Sequence, residues 1–146
     1  MFSLITQPVA IAVTFIWIGL VLGISFLEAW LKFRAPGVTT AIGLGIGRLV
    51  FGALNKVEWL LAVVVTAMFI ARQGLLLAIG NIVLLIIIGI LVIQTGWLLP
   101  TLDKRAQRVI HNQPVKPSGI HILFIAAELI KVGLLFTMGA ALLTDL

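Results

Sequence analysis

The sequence contains no cysteine and no tyrosine, and Asp, Glu, Lys and Arg make up only 10% of its 146 residues. The missing cysteine excludes disulfides, thiolate metal sites and redox thiols, and leaves the compartment unmarked by thiol chemistry. So little charge, against about 25% in soluble domains, excludes an ordinary water-soluble fold. What fills the space is apolar: 62% of the residues are hydrophobic and the mean hydropathy is +1.25. Lipid is therefore the expected solvent. Catalytic motifs are missing as well, since no Gly-x-Ser-x-Gly, HExxH or Ser-His-Asp order occurs. The glycine run Gly43 to Gly47 (GLGIG) follows no strand and lacks an adjacent Lys-Ser/Thr, which excludes a nucleotide-binding loop. Acidic residues number five against ten Lys and Arg, for a net charge of +5. The cations cluster between apolar runs, as the positive-inside rule produces, so orientation in a bilayer explains them and nucleic acid is not the expected partner.

Four apolar runs predict an all-α, polytopic, antiparallel bundle of four transmembrane helices in a single domain, residues 1–146. The first, Pro8 to Leu31, places Pro8 in an opening turn, and its uncharged start without a cleavage site reads as a retained span rather than a signal peptide. The segment Lys32 to Thr40 carries two cations and Pro36-Gly37, which is turn chemistry. Ala41 to Ala71 is longer than the hydrocarbon and carries Arg48, Asn55, Lys56 and Glu58 in its first half, so either one long helix projects beyond the bilayer or a Gly-rich amphipathic stretch precedes the span. One long helix is the favoured reading. Arg72 to Gly74 reads as a tight turn, Leu75 to Leu99 as the plainest span, stopped before Pro100, and Gly119 to Leu143 as the fourth helix. Thr101 to Ser118 is too polar for lipid.

Lys32, Arg34, Lys104, Arg105, Arg108 and Lys116 fall in the first and third loops against Arg72 alone in the second. This asymmetry predicts that loops 32–40 and 100–118 are cytoplasmic and both termini outside. Trp30 and Trp97 close the first and third runs where indole rings favour the interface.

Polar residues within the runs converge in depth. At about 1.5 Å per residue, Gln94 lies about 9 Å inside Pro100, and Glu128 and Glu58 about 12 to 15 Å and a similar depth inside their spans. Glu28, Asn55 and Ser25 lie slightly shallower, and His121 stands at the mouth of the fourth helix. Glu28, Asn55, Glu58, Gln94, His121 and Glu128 thus form the candidate polar layer, since intramembrane ionisable groups face the bundle interior or a wet cavity. Two readings stay open. In one, His121 and Glu128, seven residues apart, share a face and pass a proton or cation inward. In the other, Glu128 pairs with Lys131, Glu58 with Arg48 or Lys56, and Glu28 with Lys32, each pair merely fixing helix packing. A di-metal centre would need Glu-x-x-His on two helices, a spacing absent here, and a single histidine in a span is weak support for haem. No cofactor or metal is therefore assigned. Gly19-x-x-x-Gly23 and Gly43-x-x-x-Gly47 allow close helix approach, read as packing within the chain before a dimer seam.

The segments Ser25 to Val38 (SFLEAWLKFRAPGV), Gly43 to Glu58 (GLGIGRLVFGALNKVE), Leu99 to Ala106 (LPTLDKRA) and Ser118 to Lys131 (SGIHILFIAAELIK) resemble a family of small, uncharacterised bacterial four-helix integral membrane proteins. The layout is loosely similar to the transmembrane-protein-205-like group. The resemblance covers most of the chain and implies a four-helix fold; the family carries no established activity, so it implies no functional residue. Three roles are compatible with the sequence. A non-enzymatic membrane component, either an accessory subunit or a homo-oligomer, fits the small size and short external loops. A small proton- or cation-coupled transporter or channel fits the Glu/His layer. A quinone- or lipid-modifying enzyme would place its site at the same level. Lipid and either further copies or other membrane subunits are the expected partners.

Overall fold

The computed structural model describes the backbone of residues 2–71 and 79–144 and the side chains of residues 7–71 and 80–144. It is helical throughout its spans, and four helices are long and apolar enough to cross a membrane. Helix α1 takes residues 2–34, as Phe2–Val21, a π-helical segment Leu22–Glu28, a short α turn Ala29–Leu31 and a 3-10 turn Lys32–Arg34. Helix α2 is Thr40–Ala71, one continuous helix of 32 residues. Helix α3 takes residues 79–110, as Ile79–Ile93, a second π-helical segment Gln94–Leu98 and Leu99–Ile110. Helix α4 is Ile120–Thr144. Helix α1 packs against α2 and α4, and α3 against α4 and α2, closing a four-sided bundle. The expected Arg72 to Gly74 turn and the first residues of the third run lie outside the described residues.

Two boundaries differ from the sequence reading. Helix α1 begins before Pro8, which therefore sits inside the helix rather than in its first turn. Helix α3 does not stop at Pro100 but runs on to Ile110. A proline in a regular helix lacks a donor and its ring strikes the carbonyl four residues back, here that of Gly96. The π-helical segment immediately before it, in which the Leu99 N–H donates to the Gln94 carbonyl, widens the turn and lets the helix pass the proline. The polar half of the third loop is thereby an amphipathic helical extension, held to the projecting start of α2 by an Arg48–Asp103 ion pair.

The connections follow turn chemistry. Pro36 and Gly37 form a tight turn in which the Val38 N–H donates to the Ala35 carbonyl (3.1 Å) and Gly37 adopts φ 81°, a left-handed conformation that glycine takes without strain. Asn112 (φ 54°) ends α3 in a Schellman arrangement, the Gln113 N–H donating to the Arg108 carbonyl at 2.8 Å.

Apolar side chains at three- and four-residue spacing line the interior in two clusters. Ala10, Trp17, Val21, Val65, Ile87, Leu91, Leu135 and Met138 fill the half towards the termini, and Leu98, Ile120 and Phe124 the half towards the basic loops. The outward faces carry Leu49, Leu85, Ile122 and Phe136, which in water would be an aggregation-prone surface and in lipid are matched to their solvent. Gly43 and Gly47 are buried, and a Cβ added at Gly43 would run into the Phe33 ring. Gly43→Ala should cost about 1–3 kcal/mol of stability, read by thermal unfolding in detergent, and Phe33→Ala should recover most of it. Gly19 and Gly23 behave differently: an added Cβ there meets nothing among the described residues, so this GxxxG pair leaves a space that no described part of the same chain fills, contrary to the reading from sequence.

Candidate functional site

Between the two apolar clusters lies a layer in which all four helices contribute a polar side chain. Glu58 on α2, Gln94 on α3, and Glu128 and Lys131 on α4 are at most 2% exposed. Lys131 is its hub. Its Nζ lies 2.5 Å from Glu58 Oε1 and 2.8 Å from Glu128 Oε1, and donates to Gln94 Oε1 at 2.8 Å, so each of its three N–H groups has an acceptor. Gln94 Nε2 donates in turn to Glu128 Oε1, and Ser25 Oγ to Glu128 Oε2 at 3.1 Å. Helix α1 adds a second donor through Trp17, whose Nε1–H meets Glu58 Oε1 at 2.9 Å. Formally the cluster holds two carboxylates and one ammonium.

Local backbone geometry aims these groups. Ser25 and Gln94 both belong to π-helical segments, marked by i to i+5 bonds from the Ala29 N–H to the Ile24 carbonyl and from the Leu99 N–H to the Gln94 carbonyl. Such wide turns are infrequent and recur at functional sites. Here two of them bracket one carboxylate, Glu128. On α2, Asn55 lies one turn from Glu58; its amide meets Thr95 Oγ1 (3.1 Å), whose hydroxyl donates to the Leu91 carbonyl (2.7 Å) and accepts from Trp59 Nε1 (2.8 Å). The Nδ2 of Asn55 is buried without a partner among the described residues.

Of the six residues the sequence nominates, Glu58, Gln94 and Glu128 come together, and Asn55 adjoins them. Glu28 does not join. It bonds Lys32 at 3.1 Å, the i, i+4 pair expected from spacing, and the Lys32 ammonium lies near the Phe33 and Phe51 rings, 5.6 and 5.3 Å from their centroids. An open groove of ≈ 400 Å³ runs beside that pair along α1, lined by Gly23, Leu27, Leu31 and Ala35. His121 is exposed at the start of α4 and stands outside the layer, which corrects its expected place there. Seven residues fall about 20° short of two helical turns. The buried stripe of α4 runs through Ile120, Phe124, Glu128, Lys131, Leu135, Met138, Gly139 and Leu142; Gly139, about five turns on from His121, is buried at the same angle, so His121 is exposed by its place in the first turn of the helix and not by its face.

Pairing also differs from sequence spacing for Glu58. Neither Arg48 nor Lys56 is its partner: Arg48 bonds Asp103, Lys56 faces outward, and Lys131 of α4 reaches Glu58 across the bundle. The sequence reading omits Trp17. Its signal was position, since an indole N–H in mid-span has no acceptor in lipid and must find one inside. Among the described residues no three His, Asp or Glu side chains gather as metal ligands, and the Lys131 ammonium occupies the place between the two carboxylates. Comparison with known protein families, with characterised proteins and with solved structures finds nothing that matches this chain.

Proposed function

We propose that this chain is a non-enzymatic integral membrane component, a homo-oligomer or an accessory subunit of a larger membrane complex, in which the Glu58–Lys131–Glu128 cluster braces the four helices. The observation that supports it is the division of labour between inside and outside. The ionic groups at the centre are spent on one another, while the outward faces are apolar and, at Gly19 and Gly23, open to close approach by another helix. The proposed setting is the bacterial inner membrane, with loops 32–40 and 100–118 cytoplasmic and both termini outside. The cation-rich loops and the resemblance to small bacterial four-helix membrane proteins support it. Native mass spectrometry from lipid nanodiscs tests the role directly. Multiples of 15.7 kDa, or that mass together with other subunits, are expected, and Gly19→Leu with Gly23→Leu should return the chain to its monomer mass. A chain that travels at 15.7 kDa under every condition would overturn the assembly reading.

A second reading is a small proton- or cation-coupled transporter. The two π-helical segments that open towards Glu128 favour it, because such turns recur where helices must move or bind. Flux in proteoliposomes that depends on a pH gradient and vanishes in Glu128→Gln would support this role, and absence of flux would remove it.

A further inference from the structure

Charge does not balance in the cluster. Two carboxylates, Glu58 and Glu128, face one ammonium, Lys131, and the side chains reaching them from α1 and α3, Trp17, Ser25 and Gln94, are uncharged. The other charged groups on α1 and α2 are committed or turned away: Glu28 and Lys32 pair with each other, Arg48 pairs with Asp103, and Lys56 faces outward. Fully ionised, the group would place a net negative charge in the least polar part of the molecule, where solvation is weakest and an unbalanced ion costs most. A single monovalent positive charge neutralises it.

A separate observation marks a polar spot beside the cluster. Asn55 is buried, sits one turn from Glu58 on the same buried face of α2, and keeps one end of its amide without a partner among the described residues while the other end meets Thr95, the neighbour of Gln94. Buried polar atoms are almost always satisfied, so this amide marks a place built to bind a small polar species beside the cluster, on its basic-loop side. We infer that the Glu58–Lys131–Glu128 cluster holds one exchangeable proton, shared between its two carboxylates and exchanged past Asn55 and Thr95 at the seam of α2 and α3. Taking up the proton forms one carboxyl O–H bond and breaks no other bond in the cluster; releasing it returns the group to its anionic form. Proton binding here goes beyond the assembly role and does not depend on it.

Infrared spectroscopy of the protein in an ester-free detergent at neutral pH tests the inference. Protonated carboxyl groups give a carbonyl band apart from carboxylates and amides, and one such band is expected in the wild-type chain. Both Glu58→Gln and Glu128→Gln should abolish it, because either leaves one carboxylate against one ammonium. Transfer into D2O should shift the band, several-fold more slowly in Asn55→Leu and at an unchanged rate in His121→Ala. A wild-type spectrum without the band would overturn the proposal, as would a band that survives both glutamine variants. Thermal stabilisation by sodium or potassium in a protein lacking the band would identify a metal cation in place of the proton. Slower exchange in His121→Ala with none in Asn55→Leu would overturn the assigned route. Native mass spectra report on assembly independently of all these outcomes.

Discussion

Lys131→Met is expected to be the most damaging single substitution in the chain, lowering stability by about 3–5 kcal/mol, because it leaves buried carboxylates without their cation. Its severity comes from the number of groups that share one ammonium: Glu58, Glu128 and Gln94 all lose a bond at once. Glu128→Gln should be much milder. It preserves shape, keeps an amide oxygen for Ser25 and Lys131 to donate to, and leaves the Glu58–Lys131 pair intact. Spacing alone, with Glu128 as the sole partner of Lys131, would rank these two variants as equals, so their difference is a direct readout of the cross-bundle bond to Glu58. Thermal unfolding of purified protein in a constant detergent or nanodisc gives the comparison.

Cysteine labelling is expected to divide the surface into two classes with little between them. Gln107→Cys, exposed on the projecting end of α3, should resist impermeant thiol reagents in whole cells and react after the membrane is opened. Ser3→Cys should react in intact cells. The chain has no cysteine of its own, so each signal reports one position. The opposite pattern would reverse the proposed orientation while leaving the bundle and its cluster as described.

The four spans were legible because lipid imposes a length and a composition on anything that crosses it, and both are written in the apolar runs. Local ion pairs were legible for a related reason. Glu28 with Lys32 and Glu128 with Lys131 sit at the i+4 and i+3 spacings at which helical side chains meet. The partner of Glu58 was not, since a bond between α2 and α4 depends on rotation of each helix about its axis, which no spacing within one run records. His121 shows the same limit. Its seven-residue distance from Glu128 was right for a shared face, but that face is exposed at the first turn of α4, because cover there depends on where the neighbouring helices end. The end of α3 was misread because Pro100 carries a strong local stop signal, and the π-helical segment that overrides it has no comparable mark in the sequence. Depth, by contrast, was recoverable by counting residues, and it brought Glu58, Gln94 and Glu128 to one level before their contacts were known.

The central claim is that an ionic cluster sharing the Lys131 ammonium holds the four helices together, and one stability measurement tests it most directly. Lys131→Met is compared with the triple variant Glu58→Gln, Glu128→Gln, Lys131→Met by thermal unfolding under identical conditions. Removing the carboxylates along with their cation eliminates the buried charge, so the triple variant should recover most of the stability that the single variant loses, although it carries two further substitutions. A triple variant as unstable as Lys131→Met, or less stable, would contradict the account.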